Sequence, residues 1–168
     1  MELAHGELPG VEKEMKLPKS ELKVVVEDKV ISFSGSRYGL TDPQTRMLRY
    51  LIHQVPKEAM HGDCVGADEV FHNMIRELDE KVHITAYPSN LERWRAFCVA
   101  DKIQKARDPL ERDRLMVMLS EMLIACPKSR RRNRSGTWYT IDYALSRNVL
   151  VLLIPPNGKV KLLVEPKP

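Results

Sequence analysis

Residues 122–154 read MLIACPKSRRRNRSGTWYTIDYALSRNVLVLLI. The stretch opens with an unbroken apolar run, Met122–Cys126, and closes with another, Val149–Ile154. Between them a basic loop leads into Ser135-Gly136-Thr137 and then into a segment, Thr137–Leu145, that reads as a helix. Strands with no polar alternation are buried on both faces, the signature of a parallel sheet covered by helices. Parallel neighbours need a crossover connection, and a helix is its usual form. This one stretch therefore predicts a strand–helix–strand unit and, with it, an α/β fold.

The pattern repeats towards the N-terminus. Val30–Phe33 is β-rich and closed by Ser34-Gly35-Ser36-Arg37; a helix follows, with Asp42 expected as its N-cap and Pro43 in the first turn. Met47, Leu48, Leu51, Ile52 and Val55 recur on it at helical spacing. Glu58–His61 predicts a second strand, Ala67 to Leu78 a second helix, and Val82–Ala86 a third strand ending at Tyr87-Pro88. Residues 92–120 carry a helical pattern, broken near Asp108-Pro109. The expectation is a three-layer αβα sandwich around a mainly parallel sheet of about five strands. Ligands of such sheets bind beyond the carboxyl ends of the strands, near a topological switch point. The Gly-containing loops all follow strands.

Residues 29–156 hold this domain. Residues 1–28 mix Glu, Lys, Gly and Pro without periodicity and read as an arm; its LKVVVE run, Leu22–Glu27, could add one strand, paired with Val30–Ser34 or with Val160–Val164. Residues 157–168 form a tail that offers an edge strand. The 168 residues suffice for one core. Hydrophobic residues at 43% and charged residues at 30% are ordinary for a globular chain. A net charge of +4 favours anionic ligands without marking a nucleic-acid coat. Cys64, Cys98 and Cys126 form no CxxC pair, which argues for a reducing, cytoplasmic setting. No apolar run is long enough to span a membrane, so no membrane partner is expected.

Three loops carry candidate chemistry. Gly35-Ser36-Arg37 lets backbone N–H groups approach an anion and adds side-chain donors. In Gly62-Asp63-Cys64-Val65-Gly66-Ala67-Asp68, two glycines permit a tight turn before a helix, and Asp63 or Asp68 could cap that helix or bind a sugar hydroxyl. Arg134-Ser135-Gly136-Thr137 opens a helix, where free N–H groups, hydroxyls and the dipole suit a phosphate. Ahead of it, Lys128-Ser129-Arg130-Arg131-Arg132-Asn133-Arg134 is a basic run suited to phosphates or single-stranded nucleic acid. Trp94, Trp138 and Tyr139 offer surfaces for a base, and Arg112 and Arg114 precede the fourth strand. His61 has no second His, Cys or carboxylate at ligand spacing nearby, so neither metal nor cofactor is expected.

Taken together, these elements resemble the SLOG superfamily, the Rossmann-like group that includes DNA-processing protein A, the Lonely Guy proteins and small phage and bacterial proteins of unknown ligand. The resemblance rests on the turn at Gly35–Arg37, the Gly-x-x-x-Gly-Ala-Asp element at Gly62–Asp68, an Arg-Asn-x-x-Met-like element at Arg112–Met116, and Ser135-Gly136-Thr137 ahead of Thr140 and Tyr143-Ala144-Leu145. Asp113 stands where these families usually carry Asn, and Glu121 where Asp is common. In the Lonely Guy enzymes a Gly-Thr-x-x-Glu element supplies a catalytic carboxylate; here Thr140 occupies that position. Asp142 lies two residues on, about 200° further round the helix.

The resemblance implies binding or sensing of a nucleotide-derived, phosphate-bearing small molecule. Its phosphate would sit on Gly35, Ser36, Arg37, Arg112, Arg134, Ser135, Gly136 and Thr137, and its sugar or base near Gly62, Asp63, Gly66, Ala67 and Asp68. One alternative is single-stranded DNA binding, with Arg130, Arg131 and Arg132 on the backbone. The other is a phosphoribohydrolase (N-glycosidase), in which Asp63, Asp68 or Glu69 replaces the missing glutamate; that absence argues against turnover. Relatives often form homo-oligomers, and nothing in the sequence fixes the state of this chain.

Overall fold

The computed structural model describes residues 13–15, 26–132 and 134–164. Eight strands form one sheet: β1 (Lys13–Met15), β2 (Val30–Gly35), β3 (Glu58–His61), β4 (His83–Ala86), β5 (Lys102–Ile103), β6 (Met122–Cys126), β7 (Leu150–Leu153) and β8 (Lys161–Val164). Their spatial order is β1-β8-β7-β6-β2-β3-β4-β5. Every pair from β7 across to β5 is parallel, and β8 and β1 add antiparallel strands beside β7. The chain steps outward from β2 through β3 to β4, then returns to place β6 on the other flank of β2. The switch point thus falls between β2 and β6.

Among the described residues, four helices cover the sheet: α1 (Asp42–Ile52), α2 (Ala67–Leu78), α3 (Pro109–Leu119) and α4 (Gly136–Ser146). Alternation along the strands divides the core in two. Ile31, Phe33, Ile124, Cys126 and Leu152 pack with Leu48, Leu51 and Ile52 of α1 and Phe71 and Ile75 of α2. Leu123, Ala125, Val151 and Leu153 face the other way, onto Ile141, Ala144 and Leu145 of α4 and Val117 of α3. This is the expected αβα sandwich. Phe33 and Phe71 stack at 4.4 Å between centroids, fixing α2 on the end of β2.

Three expectations are corrected. The sheet has eight strands rather than about five, because β1, β5 and β8 are short additions outside the strand–helix–strand units. The N-cap of α1 is Thr41, not Asp42: Thr41 Oγ1 accepts from Gln44 N–H at 3.2 Å while Gln44 Oε1 accepts from Thr41 N–H at 3.0 Å, a complete capping box. The Gln44 amide then donates to the carbonyls of Pro127 and Ile154, just beyond β6 and β7. Residues 92–107 are not helical beyond the single 3-10 turn Glu92–Trp94. That segment finds partners elsewhere: Ala96 N–H donates to Asp63 O, Asp101 N–H to Ile84 O and Gln104 N–H to Ala86 O, and it becomes β5. The strand that pairs with β8 is β1, whereas most of Leu22–Glu27 lies outside the described residues. Among the described residues, no helix is long and apolar enough to cross a membrane.

Candidate functional site

The ends of β2 and β6 meet the loops after β3 and β4 and the N-terminus of α4 around a cleft of about 310 Å³. Gly35, Ser36 and Arg37 line it, as do Arg132, Arg134, Ser135, Gly136 and Thr137. Asp68, Arg112 and Asp113 lie at the base, and Trp94, Ser89 and Leu91 come from the loop after β4. The cleft thus stands at the switch point, where such sheets bind ligands.

Glycine makes the junction possible. A Cβ on Gly35 would lie 2.5 Å from Ala67 Cβ, so only a glycine lets α2 start against the end of β2. Gly66 has φ +89, and a Cβ there would lie 2.3 Å from Arg37 O. Ala67 N–H donates to Ser36 O at 2.9 Å, which ties the two loops together. Gly62 leaves room for the Arg112 guanidinium, whose Nη1 would be 2.5 Å from a Cβ on it.

Arg112 is largely committed to the framework. Its Nη1 donates to Gly62 O at 2.6 Å and Tyr87 O at 2.9 Å, and its Nε to the Asp113 carboxylate. Asp113 is the counter-charge of this buried guanidinium. Glu121 is framework too, accepting from Val30 N–H at 2.8 Å. Asp68 accepts from Cys64 N–H at 3.2 Å and stays almost fully buried. Burial pushes its carboxyl up to about 7, although Arg112 and the N–H groups of Cys64 and Gly62 pull the other way.

The Gly62–Asp68 element therefore behaves unlike the expectation for it. Gly62, Asp63, Gly66 and Ala67 do not line the cleft; Cys64 and Asp68 do. Asp63 is 1% exposed, and its carboxylate is occupied by Arg95 at 2.9 Å and by Cys98 N–H at 2.9 Å. These bonds, with Val65 N–H on Trp94 O at 2.8 Å, pin the 94–98 segment and so fix Trp94 over the cleft. Burial raises the Cys64 thiol to about 11, which leaves it a poor nucleophile at neutral pH.

The fold also brings together what the sequence keeps apart: His61, His72 and Cys98 place ligand-type atoms within 4.8 Å of one another. The hydrogen bonds assign their roles. Asp63 N–H donates to His61 Nδ1 at 2.9 Å, so Nδ1 is unprotonated and Nε2 carries the proton. That proton points at His72 Nδ1, 2.9 Å away, and the His72 ring in turn bonds the Val99 carbonyl. A neutral His61 in this tautomer has no lone pair left for a metal at Nε2. Burial, reinforced by His72, depresses His61 to about 3, and burial lowers His72 as well. The Cys98 thiol is pushed up to about 12 by burial and by Asp63. The cluster is a neutral hydrogen-bonded strut.

The α4 side is different. Ser135 caps α4, its Oγ accepting from Trp138 N–H at 3.3 Å. Gly136 is exposed, with open space where a Cβ would stand. Arg132, Arg134 and Lys128 face the cleft, with no carboxylate bonded to them among the described residues. Across from them the Arg37 guanidinium lies 4.2 Å from the Trp94 ring and Lys128 Nζ 4.2 Å from the Tyr38 ring. The Tyr38 phenol is lowered by its hydrogen bond from Arg37 and by the charges of Arg37, Lys128 and Arg132. Arg130 and Arg131 do not line this cleft. Asn133, within the basic run, lies outside the described residues. Thr140 is fully buried, donating to Gly136 O at 2.8 Å, and is no part of the cleft wall.

Ser89 and Leu91 were not anticipated as site residues, because a helical reading of 92–120 hid the loop that delivers them. Tyr87-Pro88 at the end of a strand was the available signal.

No family model matches the chain, and no curated protein matches it. Solved structures do. The molybdenum cofactor binding protein from the phototrophic bacterium Rippkaea orientalis superposes with a TM-score of 0.60 at 18% identity, covering 77% of each chain. The X-ray structure of TM1055, a structural-genomics target, superposes with a TM-score of 0.57 at 15% identity, covering 75% of this chain and 74% of its own. The fold is Rossmann-like. Identities this low carry the architecture and nothing finer.

Proposed function

We propose that the protein binds or senses a nucleotide-derived, phosphate-bearing small molecule in the cleft between β2 and β6. The observation that carries this is the pairing of a capped helix N-terminus with unbalanced cations, Arg37, Lys128, Arg132 and Arg134, around one cavity. A phosphate at Ser135-Gly136-Thr137 meets free N–H groups, hydroxyls and the positive end of α4. Trp94 and Tyr38 supply flat faces for a base. Ser89, Cys64 and Asp68 border the remaining space for a sugar, taking over the part expected of Gly62–Ala67. One Rossmann-like neighbour is described as a cofactor binder, which is consistent with small-molecule binding on this architecture.

The test is native mass spectrometry of freshly purified protein, followed by a thermal-shift screen of nucleotides. A co-purifying nucleotide or a concentration-dependent rise in Tm is expected. Protein that is empty and indifferent to every nucleotide contradicts the reading.

A second reading, N-glycosidic cleavage of a nucleoside monophosphate, is favoured by Asp68 alone. Of the three carboxylates able to replace the missing glutamate, Asp63 is tied to Arg95 and Glu69 is not in the cleft wall, whereas Asp68 borders the cleft and holds its proton up to about 7. A proton donor to a departing base needs that property. Base release that Asp68→Asn abolishes supports it; no release from any nucleoside monophosphate on long incubation removes it.

A further inference from the structure

A second cavity of about 440 Å³ lies beside the cleft and shares a wall with it. The shared wall consists of Leu110, Arg132, Arg134, Ser135 and Gly136, the same residues that face the proposed phosphate. Beyond that wall the lining changes character. Trp138, Tyr139 and Asp142 belong to the second cavity alone, as does Arg131.

The charges sort the two spaces. Arg131 forms a forked pair with Asp142, Nη1 to Oδ2 at 2.7 Å and Nη2 to Oδ1 at 2.5 Å, and its guanidinium lies 5.1 Å from the Trp138 ring. The pair carries no net charge, so this end offers a phosphate no free cation. Among the described residues, Arg131 Nε is a buried donor without a partner. Tyr139 Oη accepts from Arg114 Nη1 at 2.9 Å, which holds the ring at the rim. Aromatic rings border the shared cationic wall on both sides, Trp94 and Tyr38 in the cleft and Trp138 and Tyr139 in the second cavity, and the Arg131–Asp142 pair lies on the second side alone. The two cavities together fall within the ~300–1,000 Å³ range of small-molecule sites.

Building on the nucleotide-binding reading, we infer that the ligand is a dinucleotide, two nucleoside units joined through phosphate. The bridge lies on Arg132, Arg134, Ser135 and Gly136. One nucleoside occupies the cleft beside Trp94, and the second, uncharged, occupies the cavity beside Tyr139 and Asp142. A mononucleotide fills only half of this surface. A long single strand would have to carry further phosphates past the neutral Arg131–Asp142 pair, which offers them no counter-charge.

The experiment is calorimetric titration of the full chain with AMP, diadenosine diphosphate and a short oligo-dT, at two salt concentrations. Diadenosine diphosphate is expected to bind at least roughly tenfold tighter than AMP. Tyr139→Ala and Tyr139→Leu, at the second cavity only, are expected to remove that advantage while leaving AMP affinity unchanged. Equal affinity for AMP and diadenosine diphosphate overturns this inference and leaves the nucleotide-binding reading standing. Binding of neither compound overturns both. Oligo-dT binding tighter than the dinucleotide, with steep salt dependence, overturns it in favour of a strand-binding groove. Circular dichroism melts of both variants confirm that they are folded.

Discussion

Two of the Gly-containing loops that follow strands in this protein use their polar groups in opposite ways. The Gly62–Asp68 loop turns its polar groups inward. Asp63 holds Arg95, Arg112 holds the Gly62 carbonyl, and His61 holds the Asp63 N–H. The Lys128–Thr137 loop leaves Arg132, Arg134 and the start of α4 facing a cavity. A loop whose donors and acceptors are mutually satisfied is framework; one whose charges lack partners is available to a ligand. Sequence alone gives both the same look, since Gly, Ser, Asp and Arg serve either purpose.

The comparison breaks most readily at Asp63. Asp63→Asn leaves the Arg95 cation without its buried partner and is expected to destabilise by about 3–5 kcal/mol. Urea denaturation measures it, and a loss below ~1 kcal/mol would move Asp63 out of the framework. Gly66→Ala places a Cβ against Arg37 O in a backbone conformation reserved for glycine, with an expected loss of at least about 1–3 kcal/mol. The same denaturation series reads it.

The buried histidine strut adds a pH signature. His61 is depressed from 6.5 to about 3, so the unfolded chain takes up the proton first and stability falls as pH drops below 6.5. The slope from His61 is about 1.4 kcal/mol per pH unit. Asp68 has the opposite sign: its carboxyl, raised to about 7, favours the fold below the ordinary value of about 3.9, an advantage lost as pH rises through 7. Stability-against-pH curves in an Asp68→Asn background isolate the histidine slope, and adding His61→Gln is expected to flatten it.

The loop at α4 is expected to give small effects. Ser135→Ala removes the helix cap and costs about 1 kcal/mol by thermal or urea melting. Arg132→Ala and Arg134→Ala, on exposed side chains without ion pairs, are expected to change stability by no more than ~0.5 kcal/mol.

What was legible in the sequence follows the reach of each interaction. Glu58–His61, Ala67–Leu78 and Met122–Cys126 are read at their observed bounds because apolar runs, helical periodicity and punctuating glycines are local signals. Residues 92–107 were misread because their conformation depends on Asp63, Ile84 and Ala86, all distant in sequence. The site divides along the same line. Arg37 and Ser135–Thr137 were legible because a turn after a strand and a cap before a helix are adjacent features. The inward role of Asp63 depends on Arg95 and Cys98, and the His61 strut on His72, none of them neighbours in the chain. β1 and β5 escaped notice because strands this short carry almost no periodicity of their own, whereas β8 falls in the tail from which a strand is expected.

On the proposed reading, Arg132 and Arg134 hold a phosphate at the cleft while Asp63 holds the fold. The most direct test is AMP titration of the wild type against the Arg132→Ala/Arg134→Ala double variant, with melting curves measured on both. The account predicts matching melts and at least roughly tenfold weaker binding in the variant, the loss of charge-assisted hydrogen bonds to a phosphate. Matching melts with unchanged affinity would contradict it.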